Sequence, residues 1–381
     1  MKTPLDRALF PVAENFNYLN HAAVGILPVP TRDAIVEFVD AHATAGILGV
    51  FPYDLRLAEY RAEVARYIGA DADEIAILRN TGDGANVIAG GLRWQAGDEI
   101  ILGDNEFPSN AYPWLACRDH GVNVRMIETD RERLTPDVLR KYLSKRTRVV
   151  TVSWVSFADG YRHDLAALAQ VAHEQGAIFC VDVMQALGAF ELNAREMDID
   201  AIYAGGAKWL MALQGVSFLY VRQSLIEQLR LASPGWRSAA NLWDFLNYDQ
   251  PRVPNASRFE GGTLNFVGAL SLAKSIEVLS QAGDRIAEHV LRLTDRLCDG
   301  LRRMNAEIHS DRRPETSSGI VTFNIPQRDP IELGRILQKE KIITTYRTNG
   351  IRISPHGYNT EQEIDDLLAA VGDAMPALAT A

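Results

Sequence analysis

Short, nearly continuous apolar runs alternate with longer amphipathic runs through the middle of the chain. "DEIAILRN" (73–80), "DEIILGD" (98–104), "NVRMIE" (123–128), "TRVVTVSWV" (147–155), "AIFCVDV" (177–183), "IDAIYAGG" (199–206) and "GVSFLYVR" (215–222) predict seven strands. "GDGANVIAGGL" (82–92) predicts a helix start, and "NAYPWLACRDHG" (110–121), "TPDVLRKYLS" (135–144) and "DLAALAQVAHEQG" (164–176) predict helices. Strands apolar throughout, in strand–helix–strand order, argue for a mostly parallel sheet covered on both faces. In such sheets ligands bind beyond the carboxyl ends of the strands.

The pattern breaks over 232–263, which is rich in Gly, Pro, Asn and aromatic residues. It reads as a long functional loop, too aromatic to be disordered. Helices follow at about 264–281 and 283–304, then strands at 319–325 and 350–355, and a last helix over 360–375. Thr360 is its predicted N-cap, with Glu363 completing a capping box. This is a smaller α/β unit.

The chain has 381 residues, which suits two domains or one large domain with a smaller companion. A net charge of −10 argues against broad affinity for nucleic acid or an anionic membrane. Three separated cysteines, Cys117, Cys180 and Cys298, make no disulfide framework and fit a reducing cytoplasm. The first residues hold no apolar segment of signal-peptide length, and no apolar run approaches the roughly 20 residues of a membrane span. A cytoplasmic protein is expected.

One lysine stands out. In "GGAKWL" (205–210), Lys208 follows two glycines and an alanine and precedes apolar residues. Asp182 lies 26 residues earlier, at the carboxyl end of its own apolar strand. Alone it reads as a helix N-cap, because a buried carboxylate is costly without a cationic partner. Adjacent parallel strands bring Asp182 and Lys208 to one sheet edge. That pair fits pyridoxal phosphate: the lysine forms a Schiff base with the aldehyde, and the aspartate holds the pyridine nitrogen protonated.

A phosphate cradle is available in "RNTGDGAN" (79–86), where Thr81 and Gly82 would present a hydroxyl and backbone N–H groups at a helix N-terminus. An ordinary turn reads the same way, so the segment gains weight only from Asp182 and Lys208. Phe107 leaves another strand end, as either a ring-stacking residue or a core phenylalanine. Asn20 and His21 are open between substrate contact and a capping or packing role. A nicotinamide site is rejected, because "TGDGAN" does not make GxGxxG. No metal ligands are assigned.

These segments together resemble the class V branch of fold-type I pyridoxal-phosphate enzymes. That branch includes cysteine desulfurases, isopenicillin-N-epimerase-like proteins, kynureninase and several aminotransferases. "YLNHAAVGILP" (18–28) resembles its amino-terminal substrate-side segment, "EFPSN" (106–110) its stacking loop and "VDVMQALG" (181–188) its Asp-x-x-Gln segment. "GGAKWL" resembles the lysine motif, "FEGGTLN" (259–265) the segment whose threonine reaches the neighbouring subunit's phosphate, and "GIRISPHGYNTEQEID" (350–365) the carboxylate-binding segment.

The resemblance implies a large domain (17–260) with a mostly parallel, mixed seven-stranded sheet flanked by helices. A smaller α/β domain (261–381, with 1–16) would complete the chain. It implies pyridoxal 5'-phosphate as cofactor and a homodimer with sites at the interface. Gln185 would lie near the ring's phenolic oxygen, Thr263 would act across the interface, and Arg352 would grip the substrate carboxylate. The expected activity is at the α-carbon of an amino acid, as an aminotransferase or, alternatively, a lyase or epimerase. A non-catalytic binding protein is disfavoured, because Lys208 and Asp182 are both present. Two departures separate the chain from desulfurases. Ala207 replaces a phosphate-binding histidine, and "KIITTYRTNGIR" (341–352) lacks the loop cysteine that carries persulfide.

Overall fold

The computed structural model describes residues 2–129, 133–347 and 350–376. Its strands are β1 (Asn17–Tyr18), β2 (Ile75–Leu78), β3 (Glu99–Gly103), β4 (Asn123–Ile127), β5 (Thr147–Ser153), β6 (Ile178–Asp182), β7 (Ala201–Gly205), β8 (Ser217–Val221), β9 (Glu307–Ile308), β10 (Val321–Asn324), β11 (Ile342–Ile343), β12 (Thr345–Arg347) and β13 (Gly350–Ile353). The seven-stranded sheet runs β2-β8-β7-β6-β5-β3-β4. Only β8 is antiparallel to its neighbours, so the other six strands end at one edge.

The alternation of side chains explains why both faces are buried. Ile77, Ile101, Phe179, Val181 and Ile202 enter one apolar cluster, with helix Phe266–Ser280. Ile100, Leu102, Cys180, Ala201 and Tyr203 enter a second cluster on the opposite face, with helix Thr81–Gly91. A strand that buries both pleat faces must be apolar throughout, which is the run seen in the sequence.

A four-stranded antiparallel sheet, β12-β13-β10-β9, packs on helices Arg285–Arg303, Pro330–Lys339 and Glu361–Ala374 around a third apolar cluster. Thr360 caps the last of these helices, and the Glu363 carboxylate returns to the Thr360 N–H at 2.7 Å. The amino-terminal segment is sewn to this part of the chain. β1 pairs with β11, the Ser354 N–H donates to Leu19 O, and Arg7 pairs with Glu363. No described helix is long and apolar enough to cross a membrane.

Three helices, Val29–Ala45, Ile47–Leu55 and Leu57–Tyr67, precede the first sheet strand and were not predicted. The first two expose Val36, Val39, Ile47, Leu48 and Leu55, so apolar residues lie on both of their faces and no 3.6-residue stripe emerges. The loop at 232–263 is mostly irregular, as expected, with short 3-10 turns at Trp236–Ser238 and Ala256–Phe259. It is tied down by buried Arg237, which pairs with Asp54.

Candidate active site

The parallel strands deliver their chemistry to the shared carboxyl edge. β6 ends on Asp182, and β7 ends on Gly205, three residues before Lys208. β5 ends on Ser153, directly opposite Asp182 in register. β2 leads into Thr81, and β3 leads into Glu106 and Phe107.

Lys208 sits in a turn clamped from four directions. The Gly25 N–H donates to Ala207 O at 2.7 Å, and a Cβ on Gly25 would lie 1.9 Å from Lys208 O. Gly188 has φ 109° and passes so near Trp209 that a Cβ would lie 2.2 Å from its carbonyl oxygen. The glycines that this turn demands are thus contributed by other segments. The Trp209 indole N–H can only donate, and it meets Gln185 Oε1 at 3.1 Å, so Gln185 Nε2 is the atom that donates to Ala22 O at 3.1 Å. His356 Nδ1 accepts the Gly357 N–H, which leaves Nε2–H to donate to Trp209 O at 3.0 Å. Burial holds the His356 imidazole down at about 4, so it stays neutral in this role.

Phe107 is 38% exposed, so it is no core residue. The Lys208 ammonium lies 5.2 Å from its ring centroid, and Phe157 packs against it edge-on at 5.2 Å. The Phe157 carbonyl accepts from Arg352 Nη1 at 2.8 Å. A short chain of contacts therefore joins Lys208, Phe107, Phe157 and Arg352 across the two sheets. Arg352 is buried, and its Nη2 reaches Thr345 Oγ1, which donates to Asn20 Oδ1 at 2.7 Å.

Thr81 opens helix Thr81–Gly91, and its hydroxyl accepts from the Gly205 N–H at 3.1 Å, locking the helix start to the lysine strand. Asn80 caps the Asp83 N–H at 2.9 Å. Gly82 is the second residue of this helix, among the first-turn N–H groups that have no intrahelical acceptor.

A family model, Aminotransferase class-V, matches residues 17–367. The chain belongs to this family. It is 30% identical over 390 residues to a "Probable cysteine desulfurase" of Methanothermobacter thermautotrophicus, covering 96% of each chain. It is 28% identical over 371 residues to an "Uncharacterized aminotransferase YcbU" of Bacillus subtilis, covering 95% of this chain and 96% of that one. Among solved structures, the apo cysteine desulfurase of Thermococcus onnurineus NA1 superposes with a TM-score of 0.89 at 26% identity, covering 98% of each chain. The fold is fold type I, and the protein is a pyridoxal-phosphate-dependent enzyme of class V.

The class V residues fit that cofactor on the structure's own terms. Asp182 is buried and accepts the Met184 N–H at 2.8 Å. Burial, more than any neighbour, pushes its carboxyl up to about 7; Glu106 adds to the rise, while the Met184 N–H and Lys208 oppose it. A carboxylate in that position calls for a cationic donor, which a protonated ring nitrogen supplies. Beside it lie an exposed aromatic face for a flat ring and a helix N-terminus for a phosphate.

Two further residues from the sequence reading lie apart from Lys208 and Asp182. His21 is fully buried, with Nδ1 on Ser354 O and Nε2 on the Tyr358 hydroxyl, both at 3.2 Å. Burial holds it well below its ordinary value, so it is neutral and packs the amino-terminal segment, the second of the two roles open to it. Thr263 is exposed on a groove with Arg79, Asp83 and Asn86, whose walls include neither Lys208 nor Asp182.

Glu106 was not singled out in the sequence. It lies three residues beyond the end of β3, at the same sheet edge as Asp182, and that position was its only signal.

Proposed function

We propose that this enzyme is a lyase acting at the α-carbon of a sulfur-bearing amino acid, releasing sulfur without a cysteine of its own. The observation that carries this reading is the burial of all three thiols. Burial pushes Cys117 up to about 11, Cys180 well above the usual thiol value, and Cys298 upward. A thiol that accepts sulfur must be reachable and ionised, and these are neither. The desulfurase names of similar proteins support C–S cleavage as the chemistry.

Bound at this site, pyridoxal phosphate would supply an aldehyde that condenses with amines and a ring that accepts the electron pair of the substrate α-carbon. Lys208 Nζ takes the α-proton as general base. The Asp182 carboxylate keeps a proton on the ring nitrogen. Phe107 would cover one ring face, and Gln185 holds the lysine turn in place through Trp209. Thr81 and Gly82 would hold the phosphate at the helix N-terminus, where hydroxyl, N–H groups and dipole act together. The Arg352 guanidinium, its Nη1 already fixed by Phe157 O, orients the substrate carboxylate.

A second reading, aminotransferase, is favoured by the name of the Bacillus subtilis relative. Incubation with single amino acids separates the two. A lyase releases pyruvate and ammonia with no keto-acid acceptor, together with sulfide from cysteine or cysteine persulfide from cystine. An aminotransferase stops after one turnover in the cofactor's amine form and resumes when a keto acid is added. Failure to release pyruvate from either sulfur amino acid would sink the lyase reading.

We also propose a homodimer with Thr263 facing the partner's site. Support comes from exposed Ile47, Leu48 and Leu55 beside exposed Trp243, Phe245, Leu246 and Tyr248, with Phe51 joining the two sets through Trp243 at 6.0 Å. Sedimentation equilibrium tests it: a monomer at micromolar concentration rules it out.

A further inference from the structure

The mechanism above leaves one half-buried carboxylate without a task. Glu106 stands at the head of helix Pro108–Leu115, and its oxygens accept from the Ser153 N–H at 2.7 Å, the Ser153 hydroxyl and Asn110 Nδ2 at 2.8 Å. The polarity of these bonds is fixed from beneath. The Trp114 indole can only donate, and it meets Asn110 Oδ1 at 3.3 Å, as do the Thr151 hydroxyl at 3.0 Å and the Tyr203 hydroxyl at 2.5 Å. The Asn110 amide nitrogen must therefore face Glu106. Three donors converge on one side chain, and the species that accepts three is the carboxylate. Desolvation pushes the Glu106 carboxyl upward, and those three bonds pull it back toward the charged form.

This charge lies next to Asp182. Ser153, which Glu106 holds by backbone and side chain, is the register partner of Asp182, and the Trp154 N–H donates to Asp182 O at 2.8 Å. Two neighbouring carboxylates, one buried and one half-buried, repel, and the repulsion is relieved by a cation between or beside them. A neutral amide at 106 would turn its own nitrogen toward one of these donors, so bracing and charge are both served by the carboxylate and only a ligand-specific readout separates them.

We propose that Glu106 is a positioning residue for the ring-nitrogen site: its fixed charge, held by Ser153 and Asn110, deepens the negative potential at Asp182, and the pair selects a ring bearing a protonated nitrogen. This rests on the reading that Asp182 meets the pyridine nitrogen. A residue that only braces the strand cannot distinguish ligands that differ at that nitrogen alone, and that difference is the test.

Full-length protein freed of cofactor is titrated with pyridoxal phosphate and with its 1-deaza analogue, which carries C–H in place of the ring nitrogen. Wild type prefers pyridoxal phosphate. Glu106→Gln lowers that preference roughly tenfold, the scale expected for unit charges several ångström apart at interior dielectric, and leaves the affinity for the analogue within about twofold. Glu106→Asp, which keeps the charge, keeps most of the preference. Equal weakening of both ligands by Glu106→Gln, or no change in either, overturns the proposal. Should Glu106→Gln fail to fold, a folded Glu106→Asp protein without the preference overturns it equally. Asp182→Asn separates the underlying reading: if it leaves the wild-type preference intact, the ring nitrogen is not at Asp182, and the proposal falls with that reading.

Discussion

Arg352 donates from Nη1 to the backbone carbonyl of Phe157 at 2.8 Å, so a residue of the small sheet is oriented by a loop of the large one. The bond uses one edge of the guanidinium and aims the side chain beside the Phe107–Phe157 pair. Replacement by alanine removes a charge-assisted contact to the substrate carboxylate, worth about 1.5–3 kcal/mol. Arg352→Ala should raise KM by roughly 10- to 100-fold while changing kcat less. Steady-state kinetics measure it, and an unchanged KM would remove Arg352 from substrate binding.

Lys208→Ala should leave the protein folded but unable to retain pyridoxal phosphate after borohydride reduction. General-base catalysis typically contributes 10²–10⁴-fold, so kcat should fall by about that much or more. Mass spectrometry of the reduced protein reads the covalent link directly, and reduction elsewhere in the chain would displace Lys208 from its role.

The carboxyl of Asp182 lies at about 7 in the cofactor-free fold, above its unfolded value. Folded protein therefore binds the extra proton, and stability from this group is present at low pH and lost as pH rises from about 4 toward 7. The slope approaches about 1.4 kcal/mol per pH unit in the middle of that window. Asp182→Asn should flatten the fall in Tm of cofactor-free protein between pH 5 and 7. Parallel Tm profiles for the two proteins would contradict the assignment.

The simultaneous substitution of Cys117, Cys180 and Cys298 by alanine should preserve release of sulfur within a few-fold, provided the protein folds. All three are buried, so some loss of Tm is expected from the smaller side chains. Loss of sulfur release in a folded triple variant would restore a persulfide mechanism.

Gly25→Ala would place a Cβ 1.9 Å from Lys208 O, a distance no contact tolerates. The lysine turn or the amino-terminal segment must shift. A cost of about 1–3 kcal/mol is expected, together with weaker cofactor retention. Differential scanning calorimetry and cofactor release rates check both.

The sheet was legible because its strands bury both pleat faces, and an unbroken apolar run at Ile178–Val181 or Ile202–Ala204 needs no partner to be read. Asp182 and Lys208 were legible as departures from such runs. The helices over 29–67 were not, since their apolar residues also point outward at Ile47, Leu48 and Leu55. Glu106 was hidden for another reason: its meaning depends on Ser153 and Asn110, and hydrogen-bond polarity is a property of the folded arrangement. Gly25 and Gly188 lie 183 and 20 residues before Lys208, so neither identifies itself as part of the lysine turn.

The clamp around that turn has a temporal consequence. Local hydrogen bonds such as Met211 N–H to Lys208 O shape the turn, but the parts of the clamp come from positions 25, 185, 188 and 356, far apart in the chain. Contacts between such distant positions close late in folding. On the ribosome, the strand edge bearing Asp182 can assemble long before the segment carrying His356 has emerged. The clamp around Lys208 is then complete only when the chain is nearly whole.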